Sequence, residues 1–263
     1  MIVTTAERPD AELIAQAKRL AGELQADYVP RRQDTLRYLA DKHRADGTLV
    51  AARDGLKYVS DDQPPLFFHP SMGFVRVKRM LGGEGPDPMI KASGVAAGDT
   101  VMDCTAGLAS DAILFSHVVG AAGAVRAIEA STLLYVIVRE GLQSVRTGLP
   151  EVDDACRRVA MVQGAHEDIL RGMPDRSVDV VYFDPMFGDP VQASAAIRPL
   201  RNHALHEPLA AAAVEEAVRV ARKSVVMKNA RGSTEFARLG FAPPRPSKSA
   251  VAYGVIRIDP RTG

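Results

Sequence analysis

The stretch TVMDCTAGLASDA, at residues 100–112, has the pattern of a strand, a tight turn and the start of a helix. Apolar residues lead up to Asp103, and the turn that follows contains Thr105 and Gly107. A glycine in such a turn lets a bulky ligand approach the backbone closely. The chain has neither the G-x-G-x-x-G fingerprint of dinucleotide sites nor a Walker sequence, which argues against NAD, FAD and nucleoside triphosphates as ligands.

Strand and helix patterns alternate from about residue 88 onward, which is typical of a parallel sheet covered by helices. The predicted strands are 100–104, 124–129, 158–163, 178–184 and 224–228, followed by a late strand within 249–259. Helical patterns are clearest at 131–145 and 208–223. The sequence therefore predicts an α/β domain at residues 86–263.

Residues 1–85 have a different pattern and are predicted to form a small α+β domain with a role in substrate recognition. An amphipathic helix follows Asp10, which is its predicted N-cap. The Asp-Gly pair at 54–55 predicts a β-hairpin. Residues 61–74 combine prolines with aromatic residues and are interpreted as a loop, and the glycine-rich segment 82–88 is the predicted domain boundary.

Composition limits the classes of protein to which the chain can belong. The charges of the 263 residues nearly cancel, to +1, so local basic clusters at 31–32, 76–79 and 198–201 matter more than the total. Cys104 and Cys156 are too few for a disulfide framework and fit a reducing compartment. No run approaches the ~18–20 apolar residues of a membrane span, and the N-terminus has no apolar signal region. We expect a cytoplasmic protein.

Three predicted strand ends carry groups that suit one ligand. In a parallel sheet, ligands lie at the carboxyl ends of the strands. Glu129 follows the glycine turn by about 20 residues, where a ribose-binding carboxylate falls. Ala165 and His166 follow the next strand, where an adenine would lie. Each residue alone more often caps a helix or faces solvent, but their order indicates a ribose and an adenine without a pyrophosphate, as in S-adenosylmethionine (SAM).

The fourth strand end, VVYFDPMF at residues 180–187, places an acid, a proline and an aromatic residue beside that ligand. In an ordinary turn, Asp184 would hydrogen-bond to the local backbone and Phe187 would fill the core. The position at the end of the fourth strand of the sheet weakens this interpretation. We therefore interpret the segment as the reaction centre.

The segment DPMF is a variant of the [D/N/S]-P-P-[Y/F/W] motif of methyltransferases that act on planar amino groups. Together with DCTAGLASDA at 103–112 and IEAS at 128–131, it resembles the RsmJ-like family of small-subunit ribosomal RNA guanine-N2 methyltransferases. The resemblance covers roughly residues 88–230 and is to a divergent branch that has DPMF.

This resemblance implies a class I SAM-dependent methyltransferase fold, with a mostly parallel, seven-stranded, Rossmann-like sheet and SAM as the cofactor. The predicted cofactor contacts are the turn residues and the positions that match the family, namely Asp103, Thr105, Gly107, Ser110, Asp111, Glu129, Ala130, Ala165, His166 and Asp184. Ser110 stands where better-known members have arginine. Asp184, Pro185 and Phe187 are the predicted catalytic residues, with Met186 beside them in the substrate pocket.

A guanine amino nitrogen is a poor nucleophile because its lone pair is conjugated with the ring. The Asp184 carboxylate and the Pro185 carbonyl are predicted to accept its N–H bonds, and Phe187 is predicted to stack on the base. Cations predicted to contact RNA phosphates are Arg31, Arg32, Arg76, Lys78, Arg79, Arg198 and Arg201. The expected partner is ribosomal RNA or the ribosomal subunit, with a role in rRNA processing.

Other interpretations stay open at this point. Adenine N6, a glutamine amide or a small-molecule amine would also fit a pocket for planar amines. A non-catalytic RNA-binding protein on the same fold is a further alternative, against which the three intact strand-end acids argue. His203, His206 and Glu207 lack a convincing further metal ligand, so no metal is predicted.

Overall fold

The structure is a computed structural model that describes residues 1–60, 63–185, 208–242 and 249–259. Some sequence predictions lie outside these described residues, namely those for Met186, Phe187, Arg198, Arg201, His203, His206 and Glu207. The described residues form two sheets, one of five strands and one of six. No helix in the described part of the chain is long and apolar enough to cross a membrane.

The first sheet and its helices occupy the N-terminal quarter of the chain. The elements are β1 (Ile2–Thr5), α1 (Ala11–Glu23), β2 (Asp27–Tyr28), α2 (Leu36–His43), β3 (Thr48–Ala52), β4 (Gly55–Ser60) and β5 (Gln63–Phe67). The strand order is β2-β1-β3-β4-β5, with β1 parallel to β2 and β3 and the later pairs antiparallel. Asp10 caps α1 as predicted, because its carboxylate accepts from the Leu13 N–H at 2.9 Å. The predicted hairpin is confirmed as β3–β4.

The prediction of a loop at residues 61–74 is wrong for most of that segment. Strand β5 lies at the edge of the first sheet and contains Pro64 and Pro65. Proline lacks an N–H donor, and an edge strand tolerates this because one of its sides has no partner strand. A helix begins directly after Pro70, so the third proline precedes a helix and does not interrupt one.

The second group of elements follows in chain order. These are α3 (Ser71–Leu81), α4 (Pro88–Ser93), β6 (Thr100–Asp103), α5 (Ser110–Val119), β7 (Ala124–Glu129), α6 (Thr132–Ser144), α7 (Pro150–Arg158), β8 (Val159–Gln163), α8 (His166–Arg171), β9 (Val178–Phe183), α9 (Ala211–Val220), β10 (Ala221–Ala230), α10 (Glu235–Arg238) and β11 (Val251–Arg257). Strands and helices alternate as the sequence pattern predicts.

The second sheet has the order β11-β10-β9-β6-β7-β8, and all of its strand pairs are parallel except β10–β11. The predicted strands are confirmed, although β10 extends from Ala221 to Ala230 because both of its edges are paired. The resemblance to the methyltransferase family implies a sheet of seven strands. The described residues supply six, with an isolated bridge between Ala242 and Val255 beside β11.

Both faces of the second sheet are buried, which explains its nearly continuous apolar strands. On β9, Val180 and Tyr182 pack in the core that contains residues of α5 and α6. Val181 and Phe183 point to the opposite face and pack with residues of α8 and α9. Since five of the strands are parallel, their carboxyl ends meet at one edge of the sheet, where the predicted ligand groups lie.

The two sheets also share a hydrophobic core. Helix α3 packs against α5, and Phe68 fills the space over Gly141 of α6, where an added Cβ would lie 2.3 Å from the Phe68 Cβ. Arg139 of α6 donates to the Glu23 carboxylate of α1 at 2.8 Å. The division of the chain at residue 85 stays a prediction, and α3, which precedes that point, packs on α5, which follows it.

Candidate active site

The glycine turn contacts the ends of both strands that flank β6. The Gly107 N–H donates to Oε2 of Glu129, at the end of β7, at 3.2 Å. The hydroxyl of Thr105 accepts from the backbone N–H of Asp184, directly after β9, at 2.6 Å. The structure therefore brings together the turn and the acids at residues 129 and 184, as the order of motifs along the chain predicts.

The turn has an unusual backbone. Gly107 and Ala109 both have positive φ values, of 51° and 59°. For a non-glycine residue this left-handed conformation costs about 1–2 kcal/mol, so the surrounding structure must hold Ala109 in place. The Ala109 N–H donates to the Ala106 carbonyl at 2.6 Å, and α5 begins at the next residue, Ser110. The result is a tight entry to α5 that faces the sheet edge.

Asp103 lies beneath this turn. Its carboxylate accepts from the Thr105 N–H at 3.0 Å, and only 1% of the residue is exposed. Burial raises the pKa of Asp103 to about 8, and this effect outweighs the Thr105 donor. Asp103 therefore supports the turn through this hydrogen bond, and its predicted contact with the cofactor stays a prediction.

Glu129 is held at the carboxyl end of β7. Its Oε1 accepts from the Ser131 N–H at 2.8 Å, and its Oε2 accepts from Gly107. Burial raises the pKa of Glu129 despite these backbone donors, since only 8% of the residue is exposed. The neighbouring Ala130 is exposed. A partly desolvated acid over a glycine turn is a good acceptor for neighbouring hydroxyl groups.

The next strand end carries a buried histidine nitrogen. His166 begins α8, and its ring lies edge-on to that of Phe183, with 5.6 Å between the centroids. Burial lowers the pKa of His166, so the imidazole is neutral at pH 7. Its Nε2 is buried and has no hydrogen-bond partner within the described ranges. A buried polar atom normally has a partner, so this nitrogen fits contact with a ligand. Ala165, just before it, is exposed.

A buried ionic network lies on the other side of the turn. Arg76 of α3 donates to both carboxylate oxygens of Asp87, at 2.7 and 2.8 Å, and also contacts Asp111 of α5. Only 11% of the Arg76 side chain is exposed. The prediction that Arg76 contacts RNA phosphates is therefore wrong, because two carboxylates already bind its guanidinium in the interior.

Asp111 is engaged through both oxygens. One contacts Arg76, and the other accepts from the Tyr182 hydroxyl at 2.8 Å and from the Lys228 ammonium at 3.2 Å. Burial acts to raise the pKa of Asp111, but Lys228 and Arg76 outweigh it and lower the pKa to about 2. The predicted cofactor contact of Asp111 stays a prediction, and the preceding Ser110 is partly exposed.

Asp184 shares the ammonium of Lys228, at 2.6 Å from Oδ2. Burial raises the pKa of Asp184 to about 6, against the opposing effect of this lysine. The sequence prediction missed Lys228. The sequence feature that could have indicated it is a single lysine in the apolar strand SVVMKN. The pairing of Met227 with Phe183 places this lysine beside Asp184.

The remaining predicted cations that the structure describes are at the surface or near it. Lys78 and Arg79 are exposed on α3, and Arg79 lies 3.9 Å from Glu84. Arg31 binds Glu7 at 3.1 Å, in the first sheet region. Among the described residues, no group of three or more metal-ligating side chains is present.

Known proteins resemble the chain over most of its length. Residues 34–239 match the family model described as "Putative SAM-dependent methyltransferase". The uncharacterized protein YpiP of Bacillus subtilis is 41% identical over 98% of this chain and 100% of that protein. Ribosomal RNA small subunit methyltransferase J of Pseudomonas paraeruginosa is 28% identical, over 73% of this chain and 76% of that enzyme.

A solved structure has the same fold. The SAM-dependent methyltransferase NGO1261 from Neisseria gonorrhoeae superposes with a TM-score of 0.60 at 17% identity, and the match covers 100% of this chain and 97% of that one. The α/β architecture with a mostly parallel, Rossmann-like sheet is therefore that of the class I SAM-dependent methyltransferases.

Proposed function

Because the chain belongs to the SAM-dependent methyltransferase family, we propose that it methylates the exocyclic N2 of a guanine in small-subunit ribosomal RNA. Family membership gives the enzyme class and makes SAM the methyl donor. The acceptor is the proposal. Its support is the DPMF segment, together with the sequence similarity to ribosomal RNA small subunit methyltransferase J.

The observation that carries the proposal is the position of Asp184. It follows the buried strand β9 and is tied through its N–H to Thr105 of the glycine turn. It shares this sheet edge with Glu129. A carboxylate here would lie between a cofactor held at the glycine turn and a substrate that enters from the same side.

The residues around the turn fit SAM. Glu129 would accept from the ribose hydroxyls, because its carboxylate is buried over the turn. Ala165 and His166 would border the adenine, and the buried Nε2 of His166 would meet a polar atom of the ligand. SAM supplies an electrophilic methyl group, whose departure leaves a neutral thioether that needs no acid.

This chain would contribute position and electrostatics to the reaction. The Asp184 carboxylate and the Pro185 carbonyl would accept the two N–H bonds of the guanine amine and aim its lone pair at the methyl group. Phe187 and Met186, outside the described residues, would contact the base. Stacking contributes about 1–3 kcal/mol per base, which offsets part of the cost of a few kcal/mol for extruding the base.

RNA would be held mainly through its phosphates. Lys78 and Arg79 are exposed on α3 and would face the negatively charged backbone. Arg198 and Arg201, outside the described residues, follow the reaction centre in sequence and would supply further phosphate contacts. The N-terminal sheet precedes α3 directly, which makes it a candidate for substrate recognition.

The test is Asp184→Ala against Asp179→Ala. Asp179 lies on β9, at the end of the strand far from Asp184, and pairs with Arg222. We expect Asp184→Ala to lower methyl transfer by at least about 10²–10³-fold, the scale of losing a positioned electrostatic group. Transfer is measured as tritium from labelled SAM into small-subunit rRNA of a strain that lacks this gene.

Mass spectrometry of the product nucleosides identifies the acceptor. We expect the native chain and the Asp179→Ala variant to form N2-methylguanosine, and the Asp184→Ala variant not to form it. Full activity of Asp184→Ala would remove Asp184 from the reaction. Label that is found in DNA, in protein or in adenine would show that the methyl acceptor is not guanine. SAM binding without any methyl transfer would favour a non-catalytic RNA-binding protein.

A further inference from the structure

Lys228 is a partly buried cation that contacts Asp184, and the resemblance assigns it no role. Its ammonium lies 2.6 Å from Oδ2 of Asp184 and 3.2 Å from Oδ2 of Asp111. Only 22% of its side chain is exposed. A single ammonium therefore bridges two carboxylates that would otherwise repel each other in a poorly solvated place.

The sheet fixes this contact. Strand β10 runs parallel to β9 with Met227 opposite Phe183, and on its other edge Lys228 pairs with Tyr253 of β11. Both neighbours restrain the backbone of Lys228. A shift of one residue would send the lysine to the opposite face, so the register is what places the ammonium beside Asp184.

We propose that Lys228 is a positioning residue for methyl transfer, which clamps Oδ2 of Asp184 and keeps that carboxylate ionised so that Oδ1 accepts the amine N–H. The inference rests on the proposed function, because it takes Asp184 as the acceptor of that bond. No chemical bond forms or breaks at Lys228. Its role is to hold an acceptor in one rotamer and one charge state.

Charged and titratable groups from several elements act on Asp184 besides Lys228. Asp103 of β6 and Asp111 of α5 are acids, and Arg76 of α3 is a cation held between Asp87 and Asp111. Tyr182 of β9 donates to Asp111, and Tyr253 of β11 lies near Lys228.

Lys228 is the member of this set that touches the Asp184 carboxylate. Arg76 is already shared by two other acids. If the Lys228 charge is removed, Asp184 faces the negative charge of Asp111 without a cation between them. A proton on the Asp184 carboxyl then becomes harder to remove, because its loss would place two negative charges side by side. The acidic form of Asp184 has lost an acceptor oxygen, so the amine would be held less well.

The test compares Lys228→Gln and Lys228→Arg with the control Lys223→Gln. Lys223 lies near the start of the same strand, at the end far from Asp184, and pairs with Asp99 at 2.5 Å. The titration of the Asp184 carboxyl carbon is followed by NMR in ¹³C-aspartate-labelled, full-length protein, with Asp184→Asn to assign the signal. Methyl transfer to small-subunit rRNA and SAM affinity are measured on the same variants.

We expect the native Asp184 to titrate near pH 6. Loss of the neighbouring cation in Lys228→Gln should move the midpoint upward by about 1–3 pH units. The rate at pH 7 should then fall by about 2- to 100-fold and return to within about twofold of native at pH 9. Lys228→Arg keeps the charge and should keep the midpoint, and Lys223→Gln should match the native protein in both measurements.

Two results would overturn the positioning role. One is an Asp184 titration midpoint that is the same in Lys228→Gln as in the native protein, provided that Asp184→Ala is inactive. The other is a loss of rate in Lys228→Gln that is equally large at pH 7 and pH 9, which would mean that the lysine only stabilises the fold. An active Asp184→Ala variant would instead refute the proposed role of Asp184 itself, and the positioning role with it.

Discussion

Replacement of Glu129 by glutamine tests the cofactor site with little change in shape. In the native protein, the N–H groups of Ser131 and Gly107 donate to the two carboxylate oxygens of Glu129 at 2.8 and 3.2 Å. The glutamine carbonyl of the variant can still accept from one of these two donors. The other oxygen becomes an NH2 group, and the negative charge is lost. Hydrogen bonds to a charged acceptor contribute about 1.5–3 kcal/mol. Loss of one such bond to a ribose hydroxyl therefore predicts an increase of about 10- to 160-fold in the Kd for SAM.

The pH dependence adds a second readout with a definite sign. Burial raises the pKa of Glu129, so lowering the pH protonates this acid earlier than an exposed glutamate. SAM binding to the native protein should weaken as the pH falls through that raised pKa, whereas Glu129→Gln should not respond there. The ratio of the two Kd values should therefore shrink as the pH falls from 8.

Stability separates a binding effect from misfolding. A carboxyl whose folded pKa is raised favours the folded state at pH values below its unfolded pKa, and this contribution is lost as the pH rises through the folded pKa. At pH 8 the unligated Glu129→Gln protein should thus unfold at the native temperature or slightly above it. Calorimetric titration with SAM measures the Kd, with Asp168→Asn, an exposed acid that pairs with Arg171, as the control. A Kd within twofold of the native value at pH 8 would refute the ribose-binding role of Glu129.

Two further predictions concern packing and RNA binding. Gly141→Ala should destabilise the protein by about 1–3 kcal/mol because the added methyl group clashes with Phe68, whereas Gly22→Ala, at a helical glycine with open space around it, should stabilise it by about 0.5–1 kcal/mol. Urea unfolding measures both free energies, and stabilisation by both substitutions would refute the contact with Phe68. Removal of the charges of Lys78 and Arg79 should weaken rRNA binding at unchanged SAM affinity, and it should reduce the slope of log K against log[salt] by about 0.7–0.9 for each lost phosphate contact. An unchanged slope would exclude both residues from the RNA surface.

Local patterns were sufficient to predict the second sheet and the acids at its edge. A buried strand such as Val178–Phe183 consists almost entirely of apolar residues, so its end at Asp184 is visible in the sequence. The N-cap at Asp10 depends only on residues within one helical turn and is equally visible. The cap forms from a short-range interaction, and the strand end is visible in the apolar pattern even though β9 pairs with strands far away in the chain.

The edge strand β5 could not be predicted in this way. Two successive prolines, Pro64 and Pro65, normally mark a loop, and only the position at the sheet edge makes them compatible with a strand. That position depends on the pairing of β4 with β3 and on the packing of Phe68 over α6. Neither is encoded within the proline segment itself.

The buried ionic network shows why the sequence misassigned Arg76. On an amphipathic helix an arginine beside Lys78 and Arg79 has the pattern of a basic surface, and its partners lie 11 and 35 residues away in the chain. Only the packing of α3 on α5 turns it inward, between Asp87 and Asp111. Removal of one partner of a buried ion pair costs about 3–5 kcal/mol, because the remaining charge is left without compensation. A loss of methylation in Arg76→Ala would therefore report the collapse of this network next to Lys228 and Asp184, and it would be mistaken for a lost RNA contact unless stability were measured alongside.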